Sequence, residues 1–201
     1  MDELFKEYVI SFYSKALQMH GDRPESLRST SQGQRLHYEG LLDIKGSLHG
    51  KKILDYGCGK GDFYQFLKDK GISVRYTGFD FNERLISLAR KKFPSGKFRV
   101  FDAESDLLDE DFDYIFLYSV FNLKVKGAEQ TIKNTLINLF NHCRIALAFN
   151  ALSAYDPQKD FELHYIYPEE LLDFSAKNLS PFTEIGHERL PYDFTMFVYK
   201  N

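Results

Sequence analysis

Tryptophan is absent from this 201-residue chain, cysteine occurs twice and proline six times. Cys58 and Cys143 cannot build a disulfide framework, and neither sits in a CxxC or Cys/His spacing that would hold a metal, so no metal site is expected. No uninterrupted apolar run reaches the roughly 20 residues that cross a bilayer. The opening stretch MDELFKEYVISFYSKAL mixes acids and lysines into its apolar residues, so it lacks the apolar core of a signal peptide and a cytoplasmic address is expected. Neither sign of charge dominates: 26 Lys and Arg stand against 29 Asp and Glu, a formal net charge of −3 that gives no basic field for a nucleic-acid backbone. What the chain does have is aromatic bulk. Nineteen Phe and 13 Tyr within 43% apolar residues suit one domain, or one domain with a short appendage, around a real core.

Apolar residues at Leu4, Phe5, Tyr8, Val9, Phe12, Tyr13 and Leu17 recur at helical spacing, and a polar, turn-rich and mobile segment is expected over 20–33. A short helix over 34–44 follows. From Lys51 the pattern alternates. Strands are expected at 52–56, 73–79, 98–101, 114–118 and 144–149, with helices between most of them, one capped by Asn82. Such alternation implies a parallel sheet with helices on both faces. After a helix opened by Pro168, strands at 183–187 and 193–199 are joined by so short a turn that they must pair antiparallel. The expected fold is a doubly wound α/β sheet of seven strands: five parallel strands plus a C-terminal antiparallel hairpin, under an N-terminal helical cover. Residues 1–46 are read as that cap and 47–201 as the ligand-binding domain.

In such sheets ligands bind outside the carboxyl ends of the strands. The first strand ends in Asp55-Tyr56-Gly57-Cys58-Gly59-Lys60-Gly61-Asp62, a D-x-G-x-G-x-G turn running into a helix N-terminus. Alternate glycines let the backbone turn sharply and approach a ligand, and the helix start offers free N–H groups. A dinucleotide turn would need a third glycine where Asp62 stands, and the Asp62 charge would face phosphate. A tight turn without any ligand is the other reading.

The spacing resembles the first motif of the class I, Rossmann-like S-adenosylmethionine (SAM)-dependent methyltransferases, and the resemblance runs over about residues 48–200. It implies SAM as cofactor and S-adenosylhomocysteine as product. It places Asp55 near the ammonium of the methionine part and Tyr56, Gly57, Gly59 and Gly61 against the ribose and methionine. Asp80, which ends the second strand, would accept from both ribose hydroxyls, and Phe81 would flank the adenine. Asp102 would accept from the exocyclic amine while the Ala103 N–H donates to a ring nitrogen. Tyr118 and Ser119 would lie beside the transferable methyl group.

The implied reaction is in-line transfer of that methyl to an oxygen or nitrogen nucleophile. The alternatives are a catalytically silent SAM-binding subunit of a larger complex, and a nucleotide-dependent oxidoreductase, which Asp62 disfavours. Tyr118 and His164 are the candidate catalytic groups, and Tyr13, Gln34, Asn122, Asn150, His164 and Tyr192 the candidate acceptor contacts, with His37 a further one from the cover. Family members that act on base amines or glutamine amides carry an Asn/Asp-Pro-Pro-aromatic run. The stretch Tyr118-Ser-Val-Phe-Asn-Leu123 has no proline, which points to a small molecule or a peptide end as acceptor, with nucleic acid and membrane not expected as partners.

Overall fold

Residues 52–56 alternate Ile53 toward one face and Leu54 toward the other, both fully buried, as a strand covered on two sides must. The computed structural model describes residues 3–187 and 189–201. Its elements are α1 (Glu3–His20), a 3-10 turn (Pro24–Leu27), α2 (Ser31–Leu41), β1 (Lys52–Tyr56), α3 (Asp62–Asp69), β2 (Arg75–Asp80), α4 (Glu83–Lys92), β3 (Lys97–Val100), β4 (Phe112–Leu117), α5 (Ala128–Asn141), β5 (Cys143–Ser153), β6 (Tyr165–Ile166), α6 (Pro168–Asn178), β7 (Thr183–Gly186) and β8 (Asp193–Tyr199). The sheet order is β3-β2-β1-β4-β5-β8-β7, with β6 paired to the end of β5.

The first five strands are parallel, as expected. The terminal pair is antiparallel but inserted rather than appended: β8 lies between β5 and β7, antiparallel to both. Among the described residues, β8 alone therefore opposes the sheet direction. β6 was not expected. It is two residues long and exists because β5 runs on to Ser153, past the 144–149 read from its apolar run, to pair with Tyr165 and Ile166.

One face buries Leu54, Phe79, Ile115, Leu117 and Phe149 under α5 and α6; the other buries Ile53, Tyr114 and Phe116 under α2, α3 and α4. Phe79, Phe112, Phe116 and Phe149 are each 0% exposed, and each such side chain contributes about 1.5–3 kcal/mol of transfer free energy.

The segment over 20–33 is more ordered than its composition suggests. Ser26 is fully buried and its hydroxyl donates to the Arg23 carbonyl at 2.7 Å. The Thr30 side chain accepts the Gly33 N–H at 3.0 Å, and this cap starts α2 three residues before the expected Gln34. On α1 the stripe is rotated from the one read above: Leu4 and Tyr8 are exposed, while Val9 and Ser14 are buried. The Asn82 amide sets this rotation by donating to the Ile10 carbonyl and the Ser14 hydroxyl, 3.2 Å each.

Candidate active site

The strand ends converge above β1. Both the Gly57 and Cys58 N–H groups donate to the Phe79 carbonyl, at 2.7 and 2.9 Å, folding the glycine turn back onto β2. Gly57 has φ +77°, and a Cβ there would lie 2.5 Å from a Val120 methyl, so only glycine fits. Asp80 locks the turn from the other side. One carboxylate oxygen accepts the Gly59 N–H at 2.9 Å and the other the Asn82 N–H at 2.8 Å.

Over these loops lies a cleft of about 760 Å³, its open mouth included, lined by Asp55, Tyr56, Gly57, Cys58, Gly59, Asp80, Phe81, Tyr118 and Ser119 from the sheet side. Val9 and Tyr13 of α1, Leu27 of the 3-10 turn and Tyr38 of α2 supply the opposite wall. A second chamber of about 630 Å³ shares Val9, Tyr13, Tyr56, Phe81 and Val120 with the first and extends past Asp102 toward α5. Together they form an elongated space whose carboxylates follow one another in the order Asp55, Asp80, Asp102.

Burial sets the electrostatics. Desolvation pushes the Asp55 carboxyl up to about 7, against the pull of the Tyr76 hydroxyl that donates to it at 2.5 Å. It pushes Asp80 up to about 6, less far because two N–H groups favour the ionised form. Asp102 is also desolvated, yet the Glu104 N–H and the Lys6 ammonium, 2.9 Å away on α1, hold it below the ordinary carboxylate range. Desolvation raises the Tyr118 hydroxyl, which donates to Ser29 at 3.3 Å. Burial likewise keeps Cys58 a neutral thiol.

Most of the residues expected to hold a cofactor line these chambers; two do not. Ala103 is turned away, its N–H donating to the Tyr56 hydroxyl at 3.2 Å. Gly61 caps α3 and faces the Phe93 ring. Of the expected acceptor contacts only Tyr13 reaches the chambers. Gln34 donates to Asp62 at 3.2 Å and Asn150 lies behind Ser119. Asn122, His164 and Tyr192 line neither chamber. The His164 N–H donates to the Asn122 carbonyl, and burial lowers the basicity of its ring.

The expected role of Asp62 needs correcting. Its carboxylate does not face the cleft but is held by Lys60 at 2.5 Å and Lys92 at 3.0 Å, with Asp22 completing a four-charge cluster. Lys6 and Val9 went unread as site residues. With Tyr13 they stand three and four residues apart on α1, the spacing of one helix face, and that signal could have found them.

A doubly wound sheet with an acid-lined cleft over β1, β2 and β3 defines a Rossmann-like fold, in which ligands bind beyond the strand ends. Comparison with known proteins narrows the class. Residues 53–139 match the family described as methyltransferase domain. The Mycobacterium tuberculosis protein Rv1506c, provisionally named a methyltransferase, is 27% identical over 154 residues, covering 74% of this chain and 92% of its own. A demethylmenaquinone methyltransferase of Thermotoga maritima is 35% identical over 76 residues, 37% of this chain and 33% of the relative. Among solved structures, the magnesium protoporphyrin IX methyltransferase of Synechocystis with S-adenosylhomocysteine bound superposes over all of both chains with TM-score 0.71 at 14% identity. Residues 53–139 thus match a methyltransferase domain, and the whole chain shares the fold of SAM-dependent methyltransferases.

Proposed function

We propose that the two joined chambers hold SAM and that the methyl goes to an oxygen or nitrogen nucleophile of a small molecule or peptide end. The observation that carries the cofactor assignment is the lining: Asp55, Asp80, Asp102 and Glu104 against one cation, Lys6, itself paired with Asp102. Such a wall suits a ligand bearing an ammonium and a sulfonium, and opposes a pyrophosphate. It replaces Asp62 as the reason to set dinucleotides aside.

In this reading Asp55 and the glycine turn hold the methionine part, Asp80 offers outer lone pairs to the ribose hydroxyls, and Phe81 and Asp102 receive the adenine. SAM, when bound, supplies an electrophilic methyl on a sulfonium whose leaving group is a neutral thioether. The protein's own contribution is alignment and exclusion of water. Val9, Tyr13 and Leu27 close the wall opposite the strand ends, which supports reading residues 1–46 as a cover. Tyr118, held protonated by burial, donates a hydrogen bond rather than taking a proton. With His164 lining neither chamber, no side chain is assigned as general base. The named substrates of two similar proteins, demethylmenaquinone and magnesium protoporphyrin IX, are small molecules, which favours that acceptor class. No helix among the described residues is long and apolar enough to cross a membrane, and a cytoplasmic setting belongs to the same proposal.

Calorimetry with SAM, S-adenosylhomocysteine and NAD tests the cofactor assignment, and labelled SAM with a metabolite panel tests the acceptor class. Binding of NAD without SAM would overturn the first. Label transferred to nucleic acid but to no metabolite would overturn the second.

A further inference from the structure

Ser119 stands at the first chamber with φ +54°, a left-handed conformation that a residue with a Cβ seldom adopts. Its N–H donates to the Asn150 side-chain oxygen at 2.7 Å. Asn150 is 1% exposed, and its amide nitrogen faces the Asp193 carboxylate at 3.4 Å. The other Asp193 oxygen lies 2.6 Å from His37 Nε2, and His37 Nδ1 lies 2.7 Å from the Gly33 carbonyl within α2.

The run has a fixed direction. A carboxylate only accepts, so Asp193 fixes which way the Asn150 amide points, its nitrogen toward Asp193 and its oxygen toward Ser119. Both ring nitrogens of His37 face acceptors, the Gly33 carbonyl and the Asp193 carboxylate, which closes the far end. One flipped member would leave a buried polar group facing its like.

From this we infer that Asn150, Asp193 and His37 are positioning residues that hold the Ser119 backbone in its left-handed form, and thereby shape the end of the cleft that takes the methionine part of SAM. The inference rests on the cofactor reading above. Since Asp80 and Asp102 mark the ribose and adenine positions, the chamber end walled by Asp55, Tyr118 and Ser119 is left for methionine. Asn150 is thus reassigned from acceptor contact to a support behind the wall. All three supports, His37, Asn150 and Asp193, lie outside residues 53–139, so they are features of this chain beyond the matched family segment.

The test compares SAM with 5′-methylthioadenosine, which keeps the adenosine but lacks the amino-acid end. Asn150→Leu keeps the bulk and removes both hydrogen bonds. It should raise the SAM dissociation constant by about tenfold, as expected for loss of a buried polar contact, and leave 5′-methylthioadenosine within about twofold, inside ordinary variation for a site not touched. If that variant does not fold, His37→Ala should give the same selective loss in smaller measure, and His37→Gln, which keeps a donor toward Asp193, should restore SAM binding. Equal losses for both ligands, or none in a folded variant, would overturn the proposal. A wild-type chain that binds neither ligand would overturn the cofactor reading itself, a result recognisable before any variant is made.

Discussion

Asp80 accepts the Gly59 N–H at 2.9 Å, so the carboxylate that ends β2 also fixes the turn that follows β1. One side chain thus holds two of the loops that border the cleft, and its second oxygen caps the Asn82 N–H. The effect of removing it cannot be confined to one loop.

Asp80→Ala should therefore weaken SAM binding by about 1–3 kcal/mol through loss of charge-assisted acceptors. It should also lower the urea midpoint, because two backbone N–H groups lose their partner. Calorimetry and a urea titration read the two effects separately. An unchanged dissociation constant would show that Asp80 is not a cofactor ligand.

Protonation of Asp55 gives a second prediction. Burial lifts its folded-state value to about 7, whereas an unfolded aspartate titrates near 4, roughly. Between these values the folded protein keeps a proton that the unfolded chain has released, so this group's contribution to stability is full at low pH and lost as pH rises through about 7. Asp22, held low by Lys92 and Lys60, and Asp102, held low by the Glu104 N–H and Lys6, act in the opposite sense. The difference measurement isolates Asp55: the stability of Asp55→Asn relative to wild type should rise between about pH 5 and pH 8, followed by urea midpoints at each pH.

The same carboxyl should make cofactor binding release protons. A ligand ammonium beside Asp55 favours the ionised form, so SAM affinity should increase with pH through the window that ends at about 7. Calorimetry in buffers of different ionisation enthalpy counts the released protons. Asp55→Asn should abolish the release.

Lys60 is 1% exposed and bridges Asp22 and Asp62 beside the glycine turn. Lys60→Met leaves Asp62 desolvated with one cation fewer and should cost about 3 kcal/mol. Lys177→Ala, which breaks the exposed pair with Asp173, should stay within about 0.5 kcal/mol. Equal urea midpoints for the two variants would contradict the burial of the cluster.

Gly57→Ala should remove SAM binding, since the new methyl meets Val120 at 2.5 Å and the backbone stays left-handed. Gly57→Ala with Val120→Ala relieves the clash but not the strain, and should recover stability only in part. Thermal unfolding of the single and double variants checks both statements.

What could be read from the sequence follows from what each element depends on. β1, β2 and β8 show as apolar runs because both their faces are covered. The Asp55 and Asp80 positions follow, since each sits at the end of a strand whose end is visible. β6 has no such signal, being two half-buried residues that pair only because β5 overruns. The direction of the Asp62 side chain is not legible because Lys92 and Gln34, which hold it together with Lys60, lie 30 and 28 positions away in the chain. Gln34 is a candidate as a polar residue of the N-terminal cover, and Asn150 as one that follows the fifth strand. Their partners, Asp62 and Ser119, are fixed by tertiary packing that no local pattern reports.

The single reversed strand has a consequence for assembly. β8 brings Asp193 beside Asn150 only after β5, β6, α6 and β7 have been laid down. During synthesis the glycine turn can form early, but the Asp193 contact that orients Asn150 behind Ser119 must wait for β8.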